Sequence, residues 1–553
     1  MSAATELADE LFKALLDDRP TAGSLLGVPG YDDRLSDHSA AADDAFAAVL
    51  TGIADRVRAL DQAGLSEADR LTCAVIIQQA EVHLDWIASR WVEFTVSDFM
   101  LTTVPNLLLD LAMVPVTTPD QGESYLRRLA APPAFFDTLV QRHRAGIAAG
   151  LLPVAHLVRA AIAQLDDQLA TIDMLRRQPS DADPDYAARC AAVVADIVVP
   201  AIRGYRDTLA GEILRHGRDA DHAGVCWLPD GDRRYATAVR GYTTTDRSPD
   251  ELHRTGLDVI ARLAAEYVEI GARVFGTDDL QEIFARLRDD PDLRCRDGDE
   301  LLVVARDTVR RAEAVAADWF RTLPSSSCVV VAYPSSSALG NPPGYMGGAL
   351  DGSRPGTYFV NTKRPADNMR YLGEVTAFHE AVPGHHFEST TRLERTDLPE
   401  LRRVASLSAF AEGWGLYCER LADEMGLYSD DLARLGMLVM DSTRAGRLVA
   451  DTGLHAKGWT RQQAIDYLRA NTPMAPEYIE SEVDRYLADP GQALAYLVGR
   501  LEIQRLRELA ERSLGDRFDI RDFHEVVLAE GRIPLSALAD RVTGWIGRAA
   551  RSA

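Results

Sequence analysis

LHRTGLDVIARLAAEYVEIGARVF, residues 252–275, decides how the chain folds. Its apolar residues recur at intervals of three and four, which places them on one face of a helix. The residues ahead of it supply a start. Ser248 can cap the first turn, Pro249 suits the first helical position, and Glu251 completes a capping box. Thr460 and Gln463 repeat the device ahead of AIDYLRA. The same periodicity marks helices over 4–18, 66–90, 121–148, 155–177, 185–216, 300–322, 372–392, 404–425, 430–455 and 493–513. β-like sequence gathers in 324–368, where CVVVAYP (328–334) and TYFVNT (357–362) flank a connection rich in Pro and Gly. The expected fold is therefore mainly α, with one small sheet confined to 325–363. Strands should take less than about a tenth of the residues, against the usual 20–25%.

With 553 residues, the chain can bury roughly three-quarters of its unfolded surface without disulfide or metal staples. A polar, turn-rich stretch at 217–234 offers a division into an N-terminal helical lobe, 1–225, and a lobe 226–553 that holds the chemistry. One continuous domain over 1–553 is the alternative. Lys and Arg number 60 against 84 Asp and Glu, a net charge of −24. That balance argues against a nucleic-acid binder, which needs a basic stripe, and against adsorption to anionic membranes. The six cysteines contain no CxxC pair, so they read as buried or idle thiols. The N-terminal stretch is acidic and amphipathic, unlike a signal peptide, and no apolar run is long enough to cross a bilayer. A cytoplasmic location is expected.

Only 12 histidines occur, and three of them fall in HEAVPGHH, residues 379–386. In HExxH, two His four apart on one helix face bind zinc, and the Glu serves as general base. Here the spacing is longer. On a straight helix His385 and His386 lie about 9 and about 10.5 Å along the axis from His379, against about 6 Å for the usual pair. Pro383 removes a backbone donor and Gly384 tolerates a distorted backbone. A bulge between Ala381 and Gly384 would bring one of the two back toward His379. The Gly-His step resembles the end of the metal helix in gluzincin peptidases, which favours His385, with His386 as the alternative.

A zinc hydrolase needs a third protein ligand and an open position for water. Glu412, in FAEGWGLYCER, is the candidate, because Gly413 and Gly415 permit its helix to approach the metal helix closely. Glu380 would then accept a proton from the water whose pKa zinc lowers to about 7. The other HE pair, His524-Glu525, has no second His nearby and reads as surface helix.

Four segments in order, HEAVPGHHFE, SAFAEGWGLYCERL, LVADTGLHAKGWT and RYLADPGQALAYLVGRLEIQRLR, resemble a large bacterial family numbered 885 among the domains of unknown function. The resemblance covers nearly the whole chain. It implies a fold similar to the all-helical carboxypeptidase Taq-type zinc peptidases, which are gluzincins. The architecture expected from it is a large two-lobed helical metallopeptidase-like fold, with the metal in a cleft and the small sheet beside the metal helix.

The remaining motifs supply candidates for substrate handling. His455, four residues after Asp451, can bind a substrate oxygen or a developing oxyanion. Tyr496 can donate to the same oxyanion, and Arg485 can grip a substrate carboxylate, with Arg447 as a second carboxylate candidate. TYFVN, 357–361, reads as an edge strand that accepts an extended peptide by strand addition, with Tyr333 and Tyr345 lining the cleft. The leading functional expectation is a zinc-dependent hydrolase acting on short peptides or a peptide-like small molecule. A homodimer is a further expectation. Two alternatives use the same residues: a non-haem Fe(II) enzyme with two His and one carboxylate, and a non-catalytic zinc-stabilised peptide-binding scaffold.

Overall fold

Residues 249–275 do form one helix, and its first turn closes as the sequence dictates. The Ser248 hydroxyl accepts the Glu251 N–H, while the Glu251 carboxylate accepts the Ser248 N–H. The Thr460–Gln463 box closes in the same way. The computed structural model describes residues 2–61, 63–333 and 343–551. It is mainly α, 71% helical. Seven helices position the site: α1 (Pro249–Phe275), α2 (Leu372–Glu380), α3 (His385–Glu394), α4 (Ser408–Glu424), α5 (Asp431–Ala456), α6 (Pro476–Ala488) and α7 (Ala495–Leu514).

α5 is the central one. Nearly every residue from Leu435 to His455 is buried, polar ones included, because other helices cover it on several sides. α1 lies along it with Leu252, Val259, Leu263, Tyr267 and Ile270 inward. Each such aliphatic or aromatic side chain contributes about 1.5–3 kcal/mol when fully removed from water. α4 and α7 cross where Gly413 meets Gly499. A Cβ on Gly499 would fall 1.8 Å from the Ala409 carbonyl oxygen, and one on Gly413 would fall 2.5 Å from the Gly499 Cα. The two backbones touch there, which holds α4 in place.

The sheet has three short strands: β1 (Val329–Ala332), β2 (Gly344–Met346) and β3 (Thr357–Val360). β1 pairs parallel with β3, from Val329 opposite Thr357 to Ala332 opposite Val360, and β2 pairs antiparallel with it. The order β1-β3-β2 corrects the expectation of an edge strand at 357–361. β3 is central, and both of its ladders are occupied within the sheet.

Apolar side chains gather into separate cores. Most buried apolar residues between Val96 and Ile213 form one, while residues from Ala4 to Phe94 join the large core that extends to Val542. The apolar packing therefore does not divide at 225. Local departures have local causes. The helix expected over 121–148 is broken at Ala130–Ala131, ahead of Pro132 and Pro133, into Pro119–Leu129 and Pro132–Ala148. The polar stretch 217–234 hides the start of a helix, Gly231–Thr243, that buries Tyr235, Ala238 and Val239. Among the described residues, no helix is long and apolar enough to cross a membrane.

Candidate metal centre

The helix carrying His379 does not bulge; it stops. α2 ends at Glu380 and α3 begins at His385, with Ala381 at ψ −100° and Gly384 at ψ −128°. The Val382–Pro383 peptide bond is cis. Only glycine fits at 384, since a Cβ there would fall 1.9 Å from the His379 carbonyl oxygen. α4 holds the turn from below. Trp414 Nε1 donates to the Pro383 carbonyl at 2.9 Å, and the Cys418 thiol does so at 3.3 Å. The break folds the chain back and brings the His385 ring to 4.6 Å from that of His379, nearly perpendicular to it.

Glu412 completes the group from α4. Its Oε2 lies 3.4 Å from His379 Nε2 and 3.4 Å from His385 Nε2. All three donor atoms fall within 4.8 Å of one another. Gly415 leaves room for this, because a Cβ there would press on the His379 ring at 2.8–3.0 Å.

Behind His379 stands a residue that motif reasoning passed over. Glu419 is fully buried, and its Oε1 accepts from His379 Nδ1 at 2.8 Å. The signal was present: Glu419 follows Glu412 by seven residues, two turns along the same face of α4. With the Nδ1 proton given to Glu419, Nε2 turns its lone pair toward Glu412. Two imidazole nitrogens and a carboxylate oxygen then face one another, which is unfavourable unless positive charge sits between them. In a protein holding protons alone, burial pulls the His379 pKa down, but Glu412 and Glu419 carry it up to about 10. Glu412 is held well below the usual carboxylate range by His385 and His379, despite its burial. A divalent cation meets the same demand. Two ligands each about 2.1 Å from a tetrahedral zinc stand about 3.4 Å apart, the His–Glu spacing seen here. The residues fit zinc, and a carboxylate behind a ligand histidine is its usual support. Glu419→Gln is expected to weaken zinc binding about 10- to 100-fold while the fold persists, as measured by competition with a chelator.

Glu380, half-buried at the end of α2, has no hydrogen-bond partner among the described residues. Burial raises its pKa, and the charges of His379 and His385 oppose the rise. Its carboxylate is therefore uncommitted beside the three donors. Tyr333, after β1, is pushed up to about 12 by burial, with the Glu380 charge adding.

Tyr496 lies on the other flank. Its ring is 6.4 Å from the His379 ring and 23° from parallel, and its hydroxyl accepts from Arg485 Nη2 at 3.1 Å. The Arg447 guanidinium sits 4.6 Å over the Tyr496 ring. Three expected substrate residues, Tyr496, Arg485 and Arg447, thus come together next to the metal group.

Other expectations are corrected. His386 Nε2 is committed to the Ser326 carbonyl at 3.0 Å, and its Nδ1 lies 3.3 Å from the Thr390 hydroxyl, so it faces away from Glu412. Tyr345 packs edge-on against His386 at 5.6 Å. His455 is a core residue. Its Nδ1 accepts the Val225 N–H at 3.1 Å and its Nε2–H donates to the Tyr486 carbonyl at 3.0 Å. Burial lowers its pKa to about 3, so it stays neutral. Asp451 does not orient it; that carboxylate accepts from the Tyr235 hydroxyl and the Gly491 N–H. His524, expected on a surface helix, is fully buried between the Tyr417 hydroxyl and the Trp319 carbonyl. His455→Ala should therefore leave kcat unchanged and cost about 2–4 kcal/mol of stability in chemical denaturation, because it orphans two buried backbone groups and opens a cavity.

A family model described as "Bacterial protein of unknown function (DUF885)" matches residues 20–542. Among solved structures, a protein of Colwellia psychrerythraea provisionally named a lipoprotein shares 27% identity at a TM-score of 0.91, over 99% of each chain. One from Shewanella oneidensis, provisionally named a lipoprotein of unknown function, shares the fold at 18% identity and a TM-score of 0.76, over 98% of this chain and 99% of that one. No curated protein matches.

Proposed function

Since the chain belongs to the bacterial DUF885 family, whose description assigns no reaction, we propose from the site itself that it is a zinc-dependent hydrolase. Its substrate is an amide bond in a short peptide or a peptide-like small molecule. One observation carries the reading: His379, His385 and Glu412 converge while the adjacent Glu380 carboxylate is left uncommitted. A structural metal site has no use for such a carboxylate, and neither does an Fe(II) site. The resemblance to carboxypeptidase Taq-type peptidases belongs to this reading and accords with the helical fold.

In this reading His379, His385 and Glu412 hold the metal, and Glu419 fixes the His379 tautomer. Bound zinc would supply a polarised carbonyl and a water acidic enough to attack it. Glu380 would be the group that takes a proton from the attacking water and returns one to the leaving amine. Tyr496, its hydroxyl already accepting from Arg485, keeps its own proton to donate toward the oxygen on which charge develops.

A cytoplasmic site of action is part of the proposal. The names of the two structural neighbours point to a lipid-anchored setting for those proteins, and cell fractionation decides for this one. The function is tested by metal quantification on protein purified without added metal, together with mass-spectrometric digestion of a short-peptide library. About one zinc per chain and chelator-sensitive cleavage are expected. Iron in place of zinc, or a zinc-loaded protein inert on the library, overturns it.

A further inference from the structure

Three guanidiniums surround Tyr496, and one carboxylate, Glu482, bonds two of them. Arg444 and Arg447 stand one turn apart on α5, and Arg485 comes from α6. All three lie over the Tyr496 ring, at 5.7, 4.6 and 5.7 Å from its centre. Arg444 is 5% exposed and Arg447 2%. Glu482 is shared between two of them: Oε2 accepts from Arg447 Nε at 2.7 Å, and Oε1 accepts from Arg485 Nη1 at 3.1 Å. Arg444 has no ion pair with any described residue, and its Nη1 points at the Met440 sulfur, 3.0 Å away. The residues outside the described set contain no Asp or Glu side chain that could serve it. Arg444 Nε, Arg447 Nη1 and Arg485 Nε have no acceptor among the described residues. Asp451 and Asp489 feel the Arg485 charge without an ion pair, and tyrosine hydroxyls, Tyr235 and Tyr242, bond to them instead.

Buried charge is ordinarily paired or fully hydrogen-bonded. Arg420 and Arg500 meet Asp441, and Arg392 and Arg532 meet Glu388. Buried Arg128 and Arg234, which have no ion pair among the described residues, spend their donors on backbone carbonyls, and Arg444 has neither outlet. Around Tyr496 the guanidiniums outnumber the carboxylates that bond them: Glu482 serves Arg447 and Arg485, and Arg444 meets the Glu380 charge only at longer range, with no ion pair. From this we propose that Arg444, together with the free donors of Arg447 and Arg485, binds a carboxylate carried by the substrate. A guanidinium fork matches a carboxylate in two parallel hydrogen bonds. Because Tyr496 lies 6.4 Å from the His379 ring and 5.7 Å from the Arg444 guanidinium, at most about 12 Å separates the two groups. An extended chain covers about 3.5 Å per residue. The anion therefore belongs to a group within about three residues of the bond that reacts. The substrate class is a short acyl or peptidyl compound with a free carboxylate near that bond. This inference rests on the hydrolase reading for the reacting bond. The charge imbalance stands without it.

The test compares two N-acetyl tripeptide libraries, one with free carboxylates and one with carboxamide ends, on zinc-loaded full-length protein. Cleavage of the acids about 10- to 100-fold faster than the amides is expected, the span a charged hydrogen bond of about 1.5–3 kcal/mol gives. Arg444→Gln should reduce that preference to near unity. Zinc content and circular dichroism establish that the variant is folded, and Arg444→Lys, which keeps the charge but not the fork, should recover part of the preference. Equal cleavage of acids and amides, or an unchanged preference in Arg444→Gln, overturns the anion site and leaves the hydrolase intact. If neither library is cleaved, the hydrolase reading falls. The anion site is then decided by ultrafiltration: retention of acids over amides that Arg444→Gln abolishes supports it, and equal retention overturns it.

Discussion

Glu380→Gln is expected to keep a full complement of zinc and to lose about two to four powers of ten in kcat. Glutamine reproduces the shape of the side chain and most of its hydrogen bonding, but it cannot accept a proton at neutral pH. Glu380 has no hydrogen-bond partner among the described residues, so the substitution breaks no contact that holds the fold. Thermal stability should therefore be unchanged, and the loss should appear in kcat rather than in KM. Metal analysis and steady-state kinetics on one preparation check both halves. A residual kcat within threefold of wild type would remove Glu380 from the chemistry.

The second large effect is on the metal itself. Glu412→Ala should strip most of the zinc, because two histidines seldom hold the ion tightly in water, and activity should vanish with it. The loss should exceed the 10- to 100-fold expected for Glu419→Gln, since a ligand is removed and not merely its support. Removing Glu412 also removes the acceptor that His379 and His385 both face at 3.4 Å. Inductively coupled plasma analysis after dialysis reads the outcome. Full zinc occupancy in Glu412→Ala would place the ligand set elsewhere.

Much of this was legible in the sequence, and what was missed has physical causes. Helix starts that depend on neighbours three residues apart, at Ser248 and Thr460, are written locally and close as written. HEAVPGHH announced three close histidines but not their geometry. A proline and a glycine allow a bulge or a full stop, and the stop depends on Trp414 and Cys418, more than 30 residues away, gripping the turn. His455 and His524 were misread for the same kind of reason. Their partners, Val225 and Trp319, lie 230 and 205 positions off, and a backbone carbonyl or N–H leaves no trace in residue type. Arg444 escaped notice because its distinction is a missing partner, and only the packed structure shows which charges go unpaired. β3 looked like an edge because its sequence is short and apolar. Its two neighbours were set by parallel and antiparallel pairings that no local pattern encodes.

The separate core between Val96 and Ile213 bears on the thermodynamics of the whole molecule. Two apolar clusters that share no residue need not melt as one cooperative unit, and a single free energy of unfolding is then not a defined quantity. Ligand linkage sharpens the point. A dissociable ion lends RT ln(1 + [L]/Kd) only to the unit whose folding creates its site. That unit is the large core, to which the residues 372–424 around the triad belong. Metal supply would accordingly raise the melting of the large core alone and leave the helical cluster of 96–213 where it was.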